Sequence, residues 1–156
     1  MNYSKIETCN IGNGLGFRVV LWVSGCGHRC PGCQNSETWD PNFGKNFTDA
    51  ELVKILEYLD KPYIKGLTLS GGDPLFTGNR KVVEKICRRI KELFPEKDVW
   101  LYTGYRYEDI KDLELLKFVD VIVDGRYEQE HRDITLPFRG SINQRILKKV
   151  NNSEFM

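Results

Sequence analysis

The chain has 156 residues, 29% of them charged, with a formal net charge of +1. That length suits a single domain over residues 1–156 with its own hydrophobic core. The even charge balance speaks against a nucleic-acid partner, and the longest apolar run, residues 19–23, is far short of the ~20 residues that cross a bilayer. Residues 1–10 are polar and lack the apolar stretch of a signal peptide, so a soluble, cytoplasmic protein with no membrane attachment is expected. Structural disulfides are not expected in that compartment, and the five cysteines need another explanation.

In chain order, Phe17–Val23 is dense in β-branched and aromatic residues and reads as a buried strand. Residues 24–47 form a long loop rich in Gly, Pro, Cys and Asn. Thr48 opens a helix: its hydroxyl can accept an early backbone N–H, and Glu51 can reach back in a capping box. Leu52, Ile55, Leu56 and Leu59 recur along one face of it. Residues 66–69 are a second strand, running into Ser70-Gly71-Gly72-Asp73-Pro74. Residues 80–94 are a second helix with Val83, Ile86, Cys87, Ile90 and Leu93 on one side and a basic, solvated side opposite. A third strand (99–103), a third helix (107–118) and a fourth strand (119–123) follow, and the polar tail 148–156 is expected to fray.

Strands that read as continuous apolar runs and alternate with helices belong in a parallel sheet of an α/β fold. Ligands in such sheets bind beyond the carboxyl ends of the strands. Polar, Gly-rich segments begin at each of those ends: Ser24-Gly25-Cys26, Ser70-Gly71-Gly72-Asp73, Thr103-Gly104-Tyr105 and Asp124-Gly125-Arg126. One site gathering all four loops is therefore expected. Four strands are too few to close an eight-stranded barrel, so the expected architecture is a small, open, partial (β/α) barrel of mostly parallel strands.

The first of these loops holds Cys26-Gly27-His28-Arg29-Cys30-Pro31-Gly32-Cys33. Three thiolates this close can converge on one metal centre, with glycines allowing a tight wrap and Pro31 stiffening it. Structural zinc and ordinary iron–sulfur centres take four protein ligands, and the loop supplies three. Spacing alone leaves open a zinc site completed by His28, His131 or Cys9, and a Cys30–Cys33 dithiol. His28 by itself reads as a neutral loop residue, and Cys87 as a small core residue.

Cys-x3-Cys-x2-Cys after the first strand, with Gly71-Gly72-Asp73-Pro74 after the second, resembles the signature of the radical S-adenosylmethionine superfamily. Further segments narrow the likeness: Val23-Ser-Gly-Cys26, Cys33-Gln-Asn35, Ser70-Gly-Gly-Asp-Pro-Leu75, Tyr102-Thr-Gly-Tyr105, Val123-Asp-Gly125 and Arg139-Gly-Ser-Ile-Asn-Gln144. Together they are similar to the activating proteins of anaerobic ribonucleoside-triphosphate reductases, over nearly the whole chain. Gly32 stands where many superfamily members carry an aromatic residue, and Asp73 where Glu is common; both departures match the reductase activases.

The resemblance implies a [4Fe–4S] cluster on Cys26, Cys30 and Cys33, with S-adenosylmethionine on the fourth iron. It implies Gly71, Gly72 and Asp73 at the methionyl group, and Gly32, Cys33 and Gln34 at the adenine. Thr103, Gly104 and Tyr105 become candidates for the cofactor floor, and Asn143, Gln144 and Arg145 for contacts with cofactor or partner. A one-electron donor such as flavodoxin would reduce the cluster, and the resulting 5′-deoxyadenosyl radical would take a hydrogen atom from a glycine of the reductase. Alternative readings are a small radical enzyme acting on a metabolite, like the deazaguanine-forming synthases, and a non-enzymatic zinc-binding module.

Overall fold

The computed structural model describes residues 1–152 and 154–156. Its centre is built from four strands: β2 (Phe17–Val23), β4 (Ile64–Gly71), β5 (Asp98–Tyr102) and β6 (Val121–Asp124). They pair in parallel, with Val23 opposite Gly71, Leu69 opposite Leu101 and Tyr102 opposite Val123. All four strands therefore end on the same side of the sheet. The strands alternate strictly. Val19, Leu21, Val23, Leu67, Leu69, Val99, Leu101 and Ile122 point into the main core. Trp100, Val121 and Val123 point the other way, under Phe138 and Ile146.

Three further strands complete an open sheet of order β3-β1-β2-β4-β5-β6-β7. β1 (Asn2–Asn10) runs antiparallel to β2, the two-residue β3 (Lys45–Asn46) pairs with the start of β1, and β7 (Arg145–Lys148) runs antiparallel to β6. The expectation of four mostly parallel strands thus holds for the centre only, because antiparallel strands close both sides. The sheet is open, as expected.

Helix α1 (Asp49–Leu59) packs on β2 and β4 through Leu52, Ile55 and Leu59. Thr48 caps it: Ala50 N–H donates to its hydroxyl at 3.3 Å, and Glu51 accepts the Thr48 N–H at 2.6 Å. Such a cap is worth about 1 kcal/mol. Helix α2 (Arg80–Leu93) buries Val83, Ile86, Cys87 and Ile90. Full burial of each such large aliphatic chain contributes roughly 1.5–3 kcal/mol. Leu93, expected on that face, lies at the helix end and is exposed. The basic side of α2 is solvated and ion-paired, Lys85 to Asp49, Arg88 to Glu84 and Lys91 to Asp120.

Two expectations are corrected. The helix over 107–118 divides into a one-turn α3 (Tyr107–Ile110) and a 3-10 turn at Glu114–Phe118. Leu113 between them takes extended backbone angles. The tail is expected to fray, but its described residues are held in place, Ser153 lying outside them: Phe155 is buried in the core against Tyr107, with ring centroids 5.5 Å apart, and Met156 exchanges backbone hydrogen bonds with Lys148. Among the described residues, no helix is long and apolar enough to cross a membrane.

Candidate metal and cofactor site

The cysteine loop leaves the end of β2 and is pinned at its root by backbone bonds. Gly25 N–H donates to Thr38 at 2.7 Å and Cys26 N–H to Trp39 at 3.1 Å. Cys30-Pro31-Gly32-Cys33 forms a β-turn, with Cys33 N–H on the Cys30 carbonyl at 3.1 Å and Gly32 at φ 76°. Pro at the second position and a positive-φ Gly at the third are what a type II turn requires. A turn, not a helix start, therefore separates these two thiols.

Cys26, Cys30 and Cys33 are free, partly buried thiols. Burial pushes the Cys26 and Cys30 thiols up from their ordinary value, and backbone amides oppose it. The amides of His28 and Arg29 act on Cys26, and that of Tyr127 on Cys30. Asn35 N–H donates to Cys33 Sγ at 3.4 Å. Each sulfur thus has main-chain N–H groups ready to stabilise a thiolate, which suits iron–sulfur ligation, where hydrogen bonds to sulfur tune the centre. Cys9 is exposed on β1. Cys87 is fully buried in α2, where burial pushes its thiol up to about 12, and it is an inert core residue.

The Gly71-Gly72-Asp73 turn lies directly against the cysteine loop. Gly72 N–H donates to Val23 at 2.8 Å and Asp73 N–H to Gly25 at 2.7 Å. A Cβ on Gly72 would come within 2.6 Å of the Gly25 carbonyl oxygen and 2.7 Å of that of Thr38. This glycine is thus required where two chains cross.

The Asp73 carboxylate, 1% exposed, is a hub for three loops. Oδ1 accepts Leu75 N–H at 2.8 Å, and Oδ2 accepts Gly104 N–H at 2.9 Å, the Thr103 hydroxyl at 3.0 Å and His28 Nε2–H at 2.7 Å. His28 also packs its ring edge-on to Tyr105, 4.6 Å between centroids. His28, read from the sequence as a loop residue and not a ligand, has a side chain that is almost fully buried and joins the cysteine loop to the ends of β4 and β5.

Several cavities touch the cysteine loop, among them a small one of about 330 Å³ between Cys30-Pro31 and residues 126–130, and two more flank it. One, of about 440 Å³, lies on the sheet face opposite α1 and α2, among Cys33, Gln34, Ser70, Tyr102 and the crossing segment 126–144. Gly32 is not in its wall and abuts Gln129 instead. The Tyr102 hydroxyl in that wall is shielded and has no partner among the described residues. The second cavity, of about 630 Å³, lies among Gly27, His28, Gly104, Tyr105, Arg126, Asn143 and Arg145. Both volumes fall in the range that takes a cofactor-sized ligand. Thr103 is buried beneath Asp73, whereas Gln144 braces its loop, with Nε2 donating to the Gly125 carbonyl at 3.0 Å. Arg145 holds Asp124 and Glu108 together.

The residues of the expected site, scattered over the sequence, thus meet at one end of the sheet. Comparison with known proteins identifies the family. Residues 12–147 match the model of a family described as a 4Fe-4S single cluster domain. The chain is 51% identical over 146 residues to the anaerobic ribonucleoside-triphosphate reductase-activating protein of Enterobacteria phage T4, covering 94% of this chain and 93% of that protein. It is 43% identical to the protein of the same name from Vibrio cholerae and 41% identical to that from Escherichia coli K12, each over 148 residues, 92% of this chain and 96% of theirs. With a 4Fe-4S domain matched over most of its length and relatives matched nearly end to end, the chain belongs to the family of anaerobic ribonucleoside-triphosphate reductase-activating proteins.

Proposed function

We propose that the protein is a radical S-adenosylmethionine enzyme that installs a glycyl radical on an anaerobic ribonucleoside-triphosphate reductase. The observation that carries this reading is the set of three free thiols, each facing main-chain amides, at the carboxyl ends of the parallel strands and beside a cofactor-sized cavity. Cys26, Cys30 and Cys33 would hold a [4Fe–4S] cluster through three irons. When bound and reduced, that cluster supplies the electron that cleaves S-adenosylmethionine and starts hydrogen abstraction from the partner's glycine.

The chain's own part is binding and orientation. Gly71, Gly72 and Asp73 are assigned to the methionyl group, with Asp73 holding the turn in shape through its four hydrogen bonds. Cys33 and Gln34 are assigned to the adenine, in the cavity that Tyr102 also lines, with Gly32 supporting them from behind. A flavodoxin-like donor and a cytoplasmic setting complete the reading.

A zinc module is disfavoured by spacing. Thiolates sharing one tetrahedral zinc at ~2.3 Å have sulfurs about 3.8 Å apart. Among the described residues, the sulfurs of Cys26, Cys30 and Cys33 do not all lie within 4.8 Å of one another. Thiolates bound to three different irons need that wider spread. His28 and His131 are moreover each engaged by a carboxylate.

Anaerobically purified protein should carry about four irons per chain. After dithionite reduction it should release 5′-deoxyadenosine from S-adenosylmethionine, and with the reductase it should give a glycyl-type electron paramagnetic resonance doublet. Stoichiometric zinc without iron would sink the cluster, and a doublet formed only with a formate-lyase would redirect the partner.

A further inference from the structure

We propose that His28 is a positioning residue for the cluster: by clamping the cysteine loop to Asp73, it fixes the backbone bend that follows Cys26, with its amides, and so raises the cluster's reduction potential. The inference rests on the cluster assignment above and deepens it.

The loop is held well at its two ends and sparsely between them. The Gly25 and Cys26 amides anchor its start on Thr38 and Trp39, and the Cys30–Cys33 turn and Asn35 organise its close. Between Cys26 and Cys30, the buried side-chain anchor is His28, whose Nε2–H donates to Asp73 Oδ2 at 2.7 Å. Arg29 beside it has φ 50°, a left-handed conformation that costs a non-glycine residue energy and needs outside support. Successive amides at such a bend form a concave nest for negative charge, and here the bend directly follows Cys26.

The receiving pocket is shaped for this ring. Asp73 is itself fixed by Leu75, Thr103 and Gly104. Tyr105 packs on one edge of the imidazole. At Gly104 a Cβ would come within 2.7 Å of His28 Nε2, so a side chain there would expel the ring. A reduced cluster carries one more negative charge than an oxidised one. Amides held against a ligand sulfur therefore favour reduction, and letting them move away makes reduction harder.

The test compares His28→Ala and His28→Gln with wild type, all reconstituted anaerobically and without S-adenosylmethionine or reductase. Iron content and midpoint potential, from a redox titration followed by electron paramagnetic resonance, are the readouts. His28→Ala should lower the equilibrium constant for one-electron reduction about tenfold, about 59 mV in the negative direction, or lose iron outright. His28→Gln, whose amide N–H can still donate to Asp73, should recover at least half of whichever loss is seen. The role of His28 is overturned if the Ala variant keeps wild-type iron and potential, or if Gln is as impaired as Ala. A wild-type chain that takes up no iron would instead overturn the functional reading.

Discussion

The carbonyl of Gly25 accepts the amide of Asp73 at 2.7 Å, so the residue before Cys26 is bonded to the acidic end of the Gly-Gly-Asp turn. The two motifs recognised separately in the sequence are one structural unit. Gly72 sits at their crossing, between the carbonyls of Gly25 and Thr38. Gly72→Ala forces one of these backbones to move, a strain of about 1–3 kcal/mol by analogy with overpacking. For a chain of this size that corresponds to a drop of about 3–10 °C in Tm. Thermal unfolding and iron content measured together should fall together; a stable variant with normal iron would contradict the crossing.

The cysteines should separate cleanly by role. Cys30→Ala should lose the cluster and abolish 5′-deoxyadenosine release. Cys9→Ala and Cys87→Ala should keep full iron, because one residue is exposed on β1 and the other lies in the α2 core. Cys87→Ala trims a core side chain and should cost about 1 kcal/mol of stability. Iron analysis of the three variants, with urea midpoints for Cys87→Ala, checks both halves.

Tyr102 offers a test of the cavity beside Cys33 and Gln34. Its hydroxyl is shielded in the wall without a partner among the described residues, and burial raises its pKa, so it stays a neutral donor. Tyr102→Phe should weaken S-adenosylmethionine binding about fivefold, the ~1 kcal/mol of a neutral hydrogen bond. Stability should be unchanged or slightly higher, since a lone buried hydroxyl is removed. Equilibrium dialysis would measure the affinity; unaltered binding would place the ligand elsewhere.

Arg145 bridges β7 to both Asp124, which is 1% exposed, and Glu108 on α3. Arg145→Met removes the ion pair from Asp124, whose Oδ2 also accepts the Tyr107 N–H at 2.8 Å. We expect a loss of about 1–3 kcal/mol at pH 7, discounted from a fully buried pair because Arg145 is partly exposed. Hydrogen bonds from Arg145 hold Glu108 down at about 2, from an ordinary 4.5. A depressed carboxylate stabilises above its unfolded pKa, and that contribution is lost as pH falls through the folded value. Wild type should therefore lose stability relative to the variant between about pH 4.5 and pH 2. Urea midpoints at pH 7, 4.5 and 3 follow the narrowing gap.

The four central strands were legible because strands buried on both faces read as unbroken apolar runs, as residues 19–23 and 121–123 do. The flanking strands were not. β1 is mostly half-exposed and carries Lys5, Glu7 and several hydroxyl and amide side chains, so no alternation stands out. Phe155 gave no signal because one aromatic in a polar tail has no period. The three cysteines and the Gly-Gly-Asp turn were readable from spacing, but the use of His28 was not. Its partner lies 45 residues away, and only the parallel register of β2, β4 and β5 brings the two loops together.

The flanking strands also decide how this protein can meet another. β1's outer edge is covered by β3 at its start, the strand carries charge, and its pairing with β2 is broken by register shifts at Tyr3/Lys5 and Glu7/Asn10. At the opposite side, Lys148 already exchanges both backbone bonds with Met156. Bulges, charges and a folded-back tail are means by which sheets resist edge-to-edge pairing. Growth of the sheet by an added strand is thus discouraged on both sides. The loop-bearing end, by contrast, presents side chains and glycine-lined hollows rather than an open ladder.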